Sequence, residues 1–186
     1  MPSFFFALIA CFLAATGGRD QRLMAQLSTR LGASNALLAT GWAVSAATAA
    51  LAAYAGAGLA QLMPPAGKTM FVALALLFAA IELAWPVAVR EPEEPTRSLF
   101  AIALVIASRQ LSDGARFLVV AIAAATGAPH FAAIGGAIGG GAAIALGWAL
   151  GEVFVRRLPV RAIRLVIGGG LLLVAAWAGL AARGIL

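Results

Sequence analysis

The sequence is poor in charged residues, in cysteine and in histidine, and each shortage excludes a class of protein. Only 11% of the 186 residues are charged, whereas 63% are hydrophobic, and a soluble domain carries about 25% charged residues. A soluble protein of this length has too little interior to bury so much apolar surface. One cysteine, Cys11, and one histidine, His130, are too few for an intramolecular disulfide, a zinc signature or a nucleophile-and-base set. The sequence therefore predicts neither an enzyme nor a bound cofactor.

Long apolar runs dominate what is present, and they predict an all-α, polytopic membrane protein with six transmembrane helices. The mean hydropathy is +1.00. The runs are continuous in Ala, Leu, Val and Ile, whereas the strands of a membrane barrel alternate apolar with polar residues. A helical span takes about 20 apolar residues, so six spans leave room only for short loops. The predicted spans cover residues 3–27, 34–62, 69–89, 98–125, 130–155 and 162–182.

Two short polar segments inside the apolar runs indicate an internal repeat. We call residues 16–22 the first polar island and residues 110–116 the second polar island; they begin 94 residues apart, and each interrupts the first span of one half. Three spans are an odd number, so two such halves must lie in opposite orientations, as in many transporters. The chain then divides into a first three-helix repeat (1–89), a cytoplasmic linker (90–97) and a second three-helix repeat (98–186).

The cations outside the islands predict the orientation in the membrane. With six spans, one face carries seven arginines and the other only two cations, and positive residues mark the cytoplasmic side. We therefore expect both termini on the non-cytoplasmic side, and the net charge of +6 follows from this bias in a protein surrounded by lipid, without a nucleic-acid partner. Abundant Ala and Arg with little Lys favour a bacterial plasma membrane. The seven arginines are Arg30, Arg90, Arg97, Arg156, Arg157, Arg161 and Arg164, and the two opposite cations are Lys68 and Arg183.

The polar islands are the candidate functional site. An ionisable side chain near the centre of a bilayer costs about 2.5–3.5 kcal/mol on insertion scales, so two clusters of them need an explanation. Interruptions at corresponding positions of two halves are the best sequence indication of a transport site, and Gly17 and Gly18 also loosen the first helix. The residues expected to bind substrate or ions are Thr16, Gly18, Arg19, Asp20, Gln21, Gln110, Ser112 and Asp113, and their expected charge partners are Arg22, Glu82, Arg109 and Arg116.

With these islands, Pro-terminated turns and an Arg-Arg-Leu-Pro segment at 156–159, the chain resembles the GDT family of cation/proton exchangers. That family comprises the Golgi-type manganese- and calcium-exporting proteins and their bacterial relatives in the lysine-exporter superfamily. It has two inverted three-span repeats, each with a Glu-x-Gly-Asp-Lys/Arg-Thr/Ser motif. The islands stand where the family has these motifs, with Asp113 in register with a motif aspartate and Asp20 one position late. The resemblance, which covers nearly the whole chain, implies a divergent antiporter of a divalent metal cation and protons.

The residues of the islands leave three interpretations open. Asp113, Asp20 and the neutral oxygen of Gln110 would ligate a hard divalent cation, which prefers several oxygen ligands. The four arginines would instead hold a different, anionic substrate. In the third interpretation the islands are internal salt bridges of a non-transporting membrane protein, since buried charges are normally paired.

The spacing of the charges predicts particular ion pairs. Arg109 lies four residues before Asp113 and Arg116 three residues after it, so on a continuous helix both would reach its carboxylate. Between the two islands, Arg19 with Asp113 is the pair that we expect first. Glu82 is interpreted as the counter-charge of an arginine in the first island.

Glycine and proline add two local predictions. Gly135/Gly139 and Gly136/Gly140 in the fifth span have the spacing that lets helices approach closely. They indicate packing within the chain, with a homodimer as the second interpretation. Pro86 lacks a backbone N–H, so it would free a carbonyl group at the end of the third span.

Overall fold

The computed structural model describes residues 1–86 and 97–185, apart from the side chains of Val155 and Arg156. This described part is helical and contains no strand. Long alanine- and leucine-rich runs favour helix because each backbone group then finds its partner within the run. The helices are α1 (Pro2–Ala15), α2 (Arg19–Leu31), α3 (Asn35–Ala60), α4 (Pro65–Ala84), α5 (Leu99–Leu111), α6 (Gly114–Thr126), α7 (Pro129–Arg156) and α8 (Val160–Ala182).

Several helices start at residues suited to a first turn. Pro2, Pro65 and Pro129 lie in the first turns of α1, α4 and α7, where a missing backbone N–H breaks no helical hydrogen bond. Ser34 and Ser98 precede α3 and α5, and their side chains accept hydrogen bonds from backbone N–H groups of the first turns. The sequence thus sets these helix starts locally.

Four helices are long and apolar enough to cross a membrane, namely α3, α4, α7 and α8. The helices α1 and α2 would form a fifth span if they are taken together, although they are bent by 65° at the break between them. Both α5 and α6 are apolar but shorter. Helices of this kind indicate an integral membrane protein, which confirms the prediction of an all-α membrane fold at this level.

The predicted spans and the helices differ mainly at the third span. The third span was expected over residues 69–89, but α4 begins at Pro65 and ends at Ala84, two residues before Pro86. Proline cannot continue the hydrogen-bond ladder and disfavours helix in the residue before it. The end of that expected span and the cytoplasmic linker 90–97, apart from Arg97, lie outside the described residues.

Three pairs of helices run antiparallel: α1 with α6, α3 with α7, and α4 with α8. In each pair, residue numbers rise along one helix as they fall along the other. The lengths also correspond, since α1 and α2 have 14 and 13 residues against 13 and 13 in α5 and α6. The defining contacts are Ser3–Thr126 and Cys11–Arg116, then Gly41–Ile144 and Ala49–Gly136, then Ala80–Gly168 and Ala73–Gly179.

A layer of polar side chains separates two apolar clusters. One cluster is formed mainly by α1, α3, α4, α6 and α8, and the other by α2, α5, the first half of α3 and α7. On α3, Thr48 lies between Val44 of one cluster and Ala52 of the other. On the broken helices, Asp20 lies between Ala14 and Leu23, and Gln110 lies between Ile106 and Ala115. We call this zone the polar layer.

The glycines of α7 allow close contact within the chain. A β-carbon at Gly135 would collide with the backbone carbonyl of Phe4, and one at Gly139 with that of Leu8. On the other side of α7, a β-carbon at Gly136 would lie 2.6 Å from Val119. These contacts account for both small-residue pairs by packing inside one chain, as the first interpretation of the glycines predicted.

Candidate functional site

The first polar island is a break between α1 and α2 that depends on glycine. Gly17 has φ +69, a left-handed conformation that side chains other than glycine rarely adopt. A β-carbon there would also lie 2.5 Å from Val160 and 2.9 Å from Arg164. The backbone N–H of Gly17 donates to Oε1 of Gln21 at 2.6 Å, so a side chain of α2 satisfies the group that the break leaves without a helical partner. The predicted loosening of the first helix by its two glycines is confirmed.

The second polar island is a break between α5 and α6 that depends on carboxylates. Asp113 has an extended backbone, and its side chain accepts from the backbone N–H of Ala115 at 3.3 Å. Glu82, at the end of α4, accepts from the N–H of Gly114 through Oε2 at 2.7 Å. Both carboxylates therefore lie at the N-terminus of α6, where negative charge is stabilised by the helix dipole.

The two breaks meet at one small cavity of about 10 Å³ in the polar layer, which is more enclosed than the two wider clefts described below. This volume corresponds to about one water-sized molecule. The first island contributes Gly18, Asp20 and Gln21 to the lining, and the second contributes Gln110, Asp113 and Arg116. Residues that are about 90 or more positions apart in sequence, 89 at the least for Gln21 and Gln110, thus surround a single small volume.

Asp20 has a carboxylate without a hydrogen-bond partner in this cavity. The residue is only 8% exposed, and neither Oδ1 nor Oδ2 makes a hydrogen bond of acceptable geometry within the described part of the chain. The side chain of Gln110 and the guanidinium groups of Arg109 and Arg116 lie close enough to stabilise its negative charge. A buried carboxylate without a well-formed hydrogen bond is costly, so Asp20 is suited to bind a proton, a cation or a water molecule.

Arg116, in contrast, is held by neutral groups. It is 3% exposed, and its Nε donates to the Thr48 hydroxyl at 2.9 Å and its Nη1 to the Cys11 sulfur at 2.9 Å. Its Nη2 donates to Ser45 Oγ at 2.9 Å and to Gln110 Oε1 at 2.8 Å. We call these four acceptors the Arg116 cage. All three nitrogens of the guanidinium group are engaged by the protein itself, which is what a buried cation requires.

The cage also depends on a glycine in α7. A β-carbon at Gly140 would lie 2.8 Å from Nη2 of Arg116 and 2.8 Å from Oγ of Ser45. Gly140 therefore leaves the space that the guanidinium group occupies. The interpretation of the α7 glycines as packing residues covers this contact too, although the sequence did not indicate that the packed group would be an arginine.

An ion pair joins the first island to α4, and it is not the pair that was expected first. Arg19 Nη2 lies 3.8 Å from Glu82 Oε1, with both side chains partly exposed. The prediction of Arg19 with Asp113 is therefore wrong, whereas Glu82 stands where its interpretation as a counter-charge places it. The pairs of Asp113 with Arg109 and Arg116 are also absent among the described residues. Their prediction assumed a continuous helix, but α5 ends at Leu111.

Arg164 is a structural residue that the sequence assigned to an aqueous face. It is 4% exposed, and it donates from Nη2 to the carbonyl of Glu82 at 2.6 Å and from Nε to that of Leu83 at 3.2 Å. These carbonyls lie at the end of α4, where Pro86 offers no N–H. The Glu82 carbonyl also accepts from the N–H of Trp85 at 3.2 Å, so Pro86 removes its regular helical partner without leaving it free, and the sequence did not indicate Arg164.

The remaining predicted site residues lie around the cavity rather than in its lining. The Thr16 hydroxyl donates to the carbonyl of Phe12 at 2.7 Å, and Arg22 donates from Nε to the carbonyl of Gly17 at 3.2 Å. Ser112 and Arg19 are exposed. Sequence reasoning missed the cage residues on α3 because two hydroxyl groups in a 26-residue apolar helix give no signal of their own.

The side chains that line the cavity determine whether it can bind a metal ion. Within residues 1–86 and 97–185, no group of three or more His, Cys, Asp or Glu side chains lies close enough together to hold a metal ion. The tentative ligands Asp113, Gln110 and Asp20 do share the cavity lining. The two carboxylates are oxygen ligands of the kind that hard cations prefer, but the amide oxygen of Gln110 already accepts from Arg116 and Thr48.

The chain matches no protein-family model, and neither curated proteins nor solved structures give a match. The resemblance to the GDT exchangers therefore stays a prediction from the residues of the islands and the order of the spans. The geometry of the polar layer is what bears on function.

Proposed function

We propose that the protein is a secondary transporter that exchanges a small divalent cation of the manganese or calcium class for protons. The proposed binding site is the enclosed cavity between the two helix breaks. One observation carries this proposal: the Asp20 carboxylate is buried in a cavity shared by both islands and has no hydrogen-bond partner. An acceptor that the fold leaves unpaired is a group suited to a transported cation or proton.

The hydrogen bonds of the arginines favour a cation over an anion. An anionic substrate needs N–H groups that point into the cavity, but those of Arg116 are directed at the cage. Arg19 is exposed and paired with Glu82. A second candidate, an anion transporter, is favoured only by Arg109, whose buried Nη1 has no partner in the described structure.

The arrangement of the helices supports a transporter built from inverted repeats. If α1 with α2 and α5 with α6 are each one broken span, the chain has six spans in two sets of three. Corresponding members then run antiparallel, as inversion requires, and the two breaks meet at the centre. Discontinuous helices that meet at a central site are typical of such transporters. We place both termini outside a bacterial plasma membrane, from the arginine bias alone.

The proposed exchange follows from competition for the same oxygens. A cation in the cavity would contact the carboxylates of Asp20 and Asp113, whereas the amide oxygen of Gln110 already accepts from Arg116 and Thr48. The fixed positive charge of Arg116 opposes the cation and lowers its affinity, so release does not require a large change in structure. Protons that neutralise the carboxylates after release would balance the charge on the return step.

Flux measurements in proteoliposomes test the proposal. An inward gradient of Mn²⁺ or Ca²⁺ is expected to drive proton movement in the opposite direction, read by a pH-sensitive dye trapped in the lumen. Asp20→Asn removes the charge without changing size, and we expect it to lower the rate about tenfold or more. Glu152→Gln is the matched control because it makes the same change at an exposed position of α7.

The flux measurements distinguish the proposed site, the proposed function and the anion transporter. Wild-type rates in Asp20→Asn would overturn the proposed site, and the absence of cation-driven proton flux in the wild type would overturn the proposed function. Uptake of chloride or phosphate that is lost in Arg109→Gln would replace it with the anion transporter.

A further inference from the structure

A second, open cavity lies beside the enclosed one, between the end of α4 and the break of α5 and α6. We call it the α4–α6 cleft; its volume is about 370 Å³. Glu82, Ser112 and Asp113 form its polar side, and Phe78 and Phe117 form its aromatic side. The two aromatic rings meet edge to face, with centroids 5.9 Å apart. The cleft is thus a polar groove with a firm apolar wall.

Asp113 is common to the two cavities. It lines the enclosed cavity together with Asp20, and it lines the α4–α6 cleft together with Glu82. At this point the two cavities are therefore separated by a single residue, Asp113, which we call the wall between them. Since α5 ends at Leu111 and α6 begins at Gly114, the wall lies at a helix break, which can change shape at lower cost than a helix interior.

We propose that the α4–α6 cleft is the entrance through which a cation reaches the enclosed cavity, with Asp113 as the residue that it passes. The identity of the substrate in this inference rests on the proposed function, whereas the open cleft beside Asp113 does not. The unpartnered, buried Asp20 in the adjoining cavity is the independent indication that the path leads to a ligand.

The charges at the cleft fit a cation. Two carboxylates, Glu82 and Asp113, face it, and a concave site lined by one sign of charge concentrates the opposite ion. The exposed Arg19 lies 3.8 Å from Glu82 at the edge of this site. An ion pair between partly exposed groups contributes only about 0–1 kcal/mol, so this arginine is displaced easily.

The position of Glu82 gives the direction of entrance. Glu82 lies two residues before the end of α4, on the side from which the chain continues toward the linker 90–97. Residues 31–37, between α2 and α3, share a further cleft with Arg97 and Leu99, so they lie on the same side. Gln61, in the turn between α3 and α4, marks the opposite side. We infer that the cleft opens toward the side on which α4 ends and α5 begins.

Cysteine labelling tests the entrance because the chain has a single cysteine, and Cys11 is 0% exposed. Ser112→Cys is a nearly isosteric change in the cleft, and Ser108→Cys is its matched control. Ser108 is also exposed and lies one helical turn before Ser112, on α5, but it does not line the cleft. With a charged, membrane-impermeant methanethiosulfonate reagent, Ser112→Cys is expected to react at least about tenfold faster than Ser108→Cys, since reaction requires a solvated thiolate.

The side of the membrane is determined with two reference variants. Ala33→Cys and Gln61→Cys, both at exposed positions, report reagent added to one face or the other of sealed vesicles. Ser112→Cys is expected to react from the face that labels Ala33→Cys. Reaction only from the face that labels Gln61→Cys would overturn the proposed direction, and no reaction from either face would overturn the entrance.

Protection by MnCl₂ links the cleft to the cation. We expect millimolar Mn²⁺ to slow labelling of Ser112→Cys several-fold and to leave Ala33→Cys unchanged. Unchanged labelling of both variants by Mn²⁺ would overturn the role of the cleft as an entrance for cations. If the cleft labels and is protected but no flux occurs, the entrance stands and the proposed function fails. If flux occurs in a protein whose cleft is unreactive, the function stands and the entrance fails.

Discussion

The two helix breaks use different chemistry at corresponding positions of the chain. The first break depends on Gly17 in a left-handed conformation, and it leaves the Asp20 carboxylate unpaired in the cavity. The second break depends on Asp113 and on Glu82, which both bind the N-terminus of α6. The first break therefore supplies a carboxylate without a hydrogen bond. The second supplies the residue between the two cavities, and the carboxylates there already accept hydrogen bonds from α6.

The arginines that follow the breaks differ in the same way. Arg22 and Arg116 occupy corresponding positions of the two islands, but Arg22 is half-buried and Arg116 is buried in its cage. A sequence repeat thus fixes where polar residues occur without fixing their roles. The following variants test this difference, beginning with the largest expected effect.

Arg116→Gln should be the most destabilising of these changes. Three cage acceptors lose their donor, whereas Gln110 keeps the Thr48 hydroxyl; each buried acceptor without a partner costs about 1–3 kcal/mol, so we expect a loss of about 3 kcal/mol or more in the free energy of unfolding. Arg22→Gln is the control at the corresponding position and should cost about 1 kcal/mol or less. Equilibrium unfolding in mixed detergent micelles measures both. Equal losses would show that the two arginines have the same role.

Gly17→Ala should have a smaller but definite effect. The substitution introduces backbone strain of about 1–2 kcal/mol at positive φ and a collision with Val160. Gly127→Ala is the matched control, because Gly127 is left-handed with φ +66 but has no atom within 4 Å of its would-be β-carbon. The difference between their melting temperatures isolates the steric part. A Gly127→Ala variant as unstable as Gly17→Ala would mean that Val160 and Arg164 do not hold the first break.

Glu82→Gln should destabilise the protein less than Arg116→Gln or Gly17→Ala, but more than its own control, Arg19→Gln. Glutamine keeps an acceptor for the Gly114 N–H but loses the charge at the N-terminus of α6, which contributes about 0.3–1 kcal/mol. Arg19→Gln removes only the exposed ion pair, at about 0–1 kcal/mol, and this loss should vanish at high salt. If Arg19→Gln proves the more damaging, the ion pair rather than the helix cap holds Glu82.

The sequence predicted the helices better than the contacts between them. Continuous apolar runs and the prolines at helix starts are local signals, and they located α3, α4, α7 and α8 to within a few residues at most ends. The islands were correctly identified as interruptions because glycine and ionisable residues oppose helix in an apolar span. The ion pairs failed because helical spacing was applied across Asp113, where the backbone is extended.

The partners of Arg116, and the helix that Glu82 caps, could not be found from the sequence. Ser45 and Thr48 are ordinary small residues within α3, and only the approach of α3 to α6 makes them acceptors. Likewise, Glu82 caps a helix that begins 32 residues later. Such contacts depend on tertiary packing, which the periodicity of residues along one helix does not reveal.

The cage joins two distant positions into one steric unit. Gly140 leaves only the space that the Arg116 guanidinium group takes up, so a larger side chain at 140 collides with the arginine, and a smaller one at 116 leaves an internal void. Divergence at this point of the fold has to pass through paired substitutions, one on α6 and one on α7, that exchange volume and polarity together.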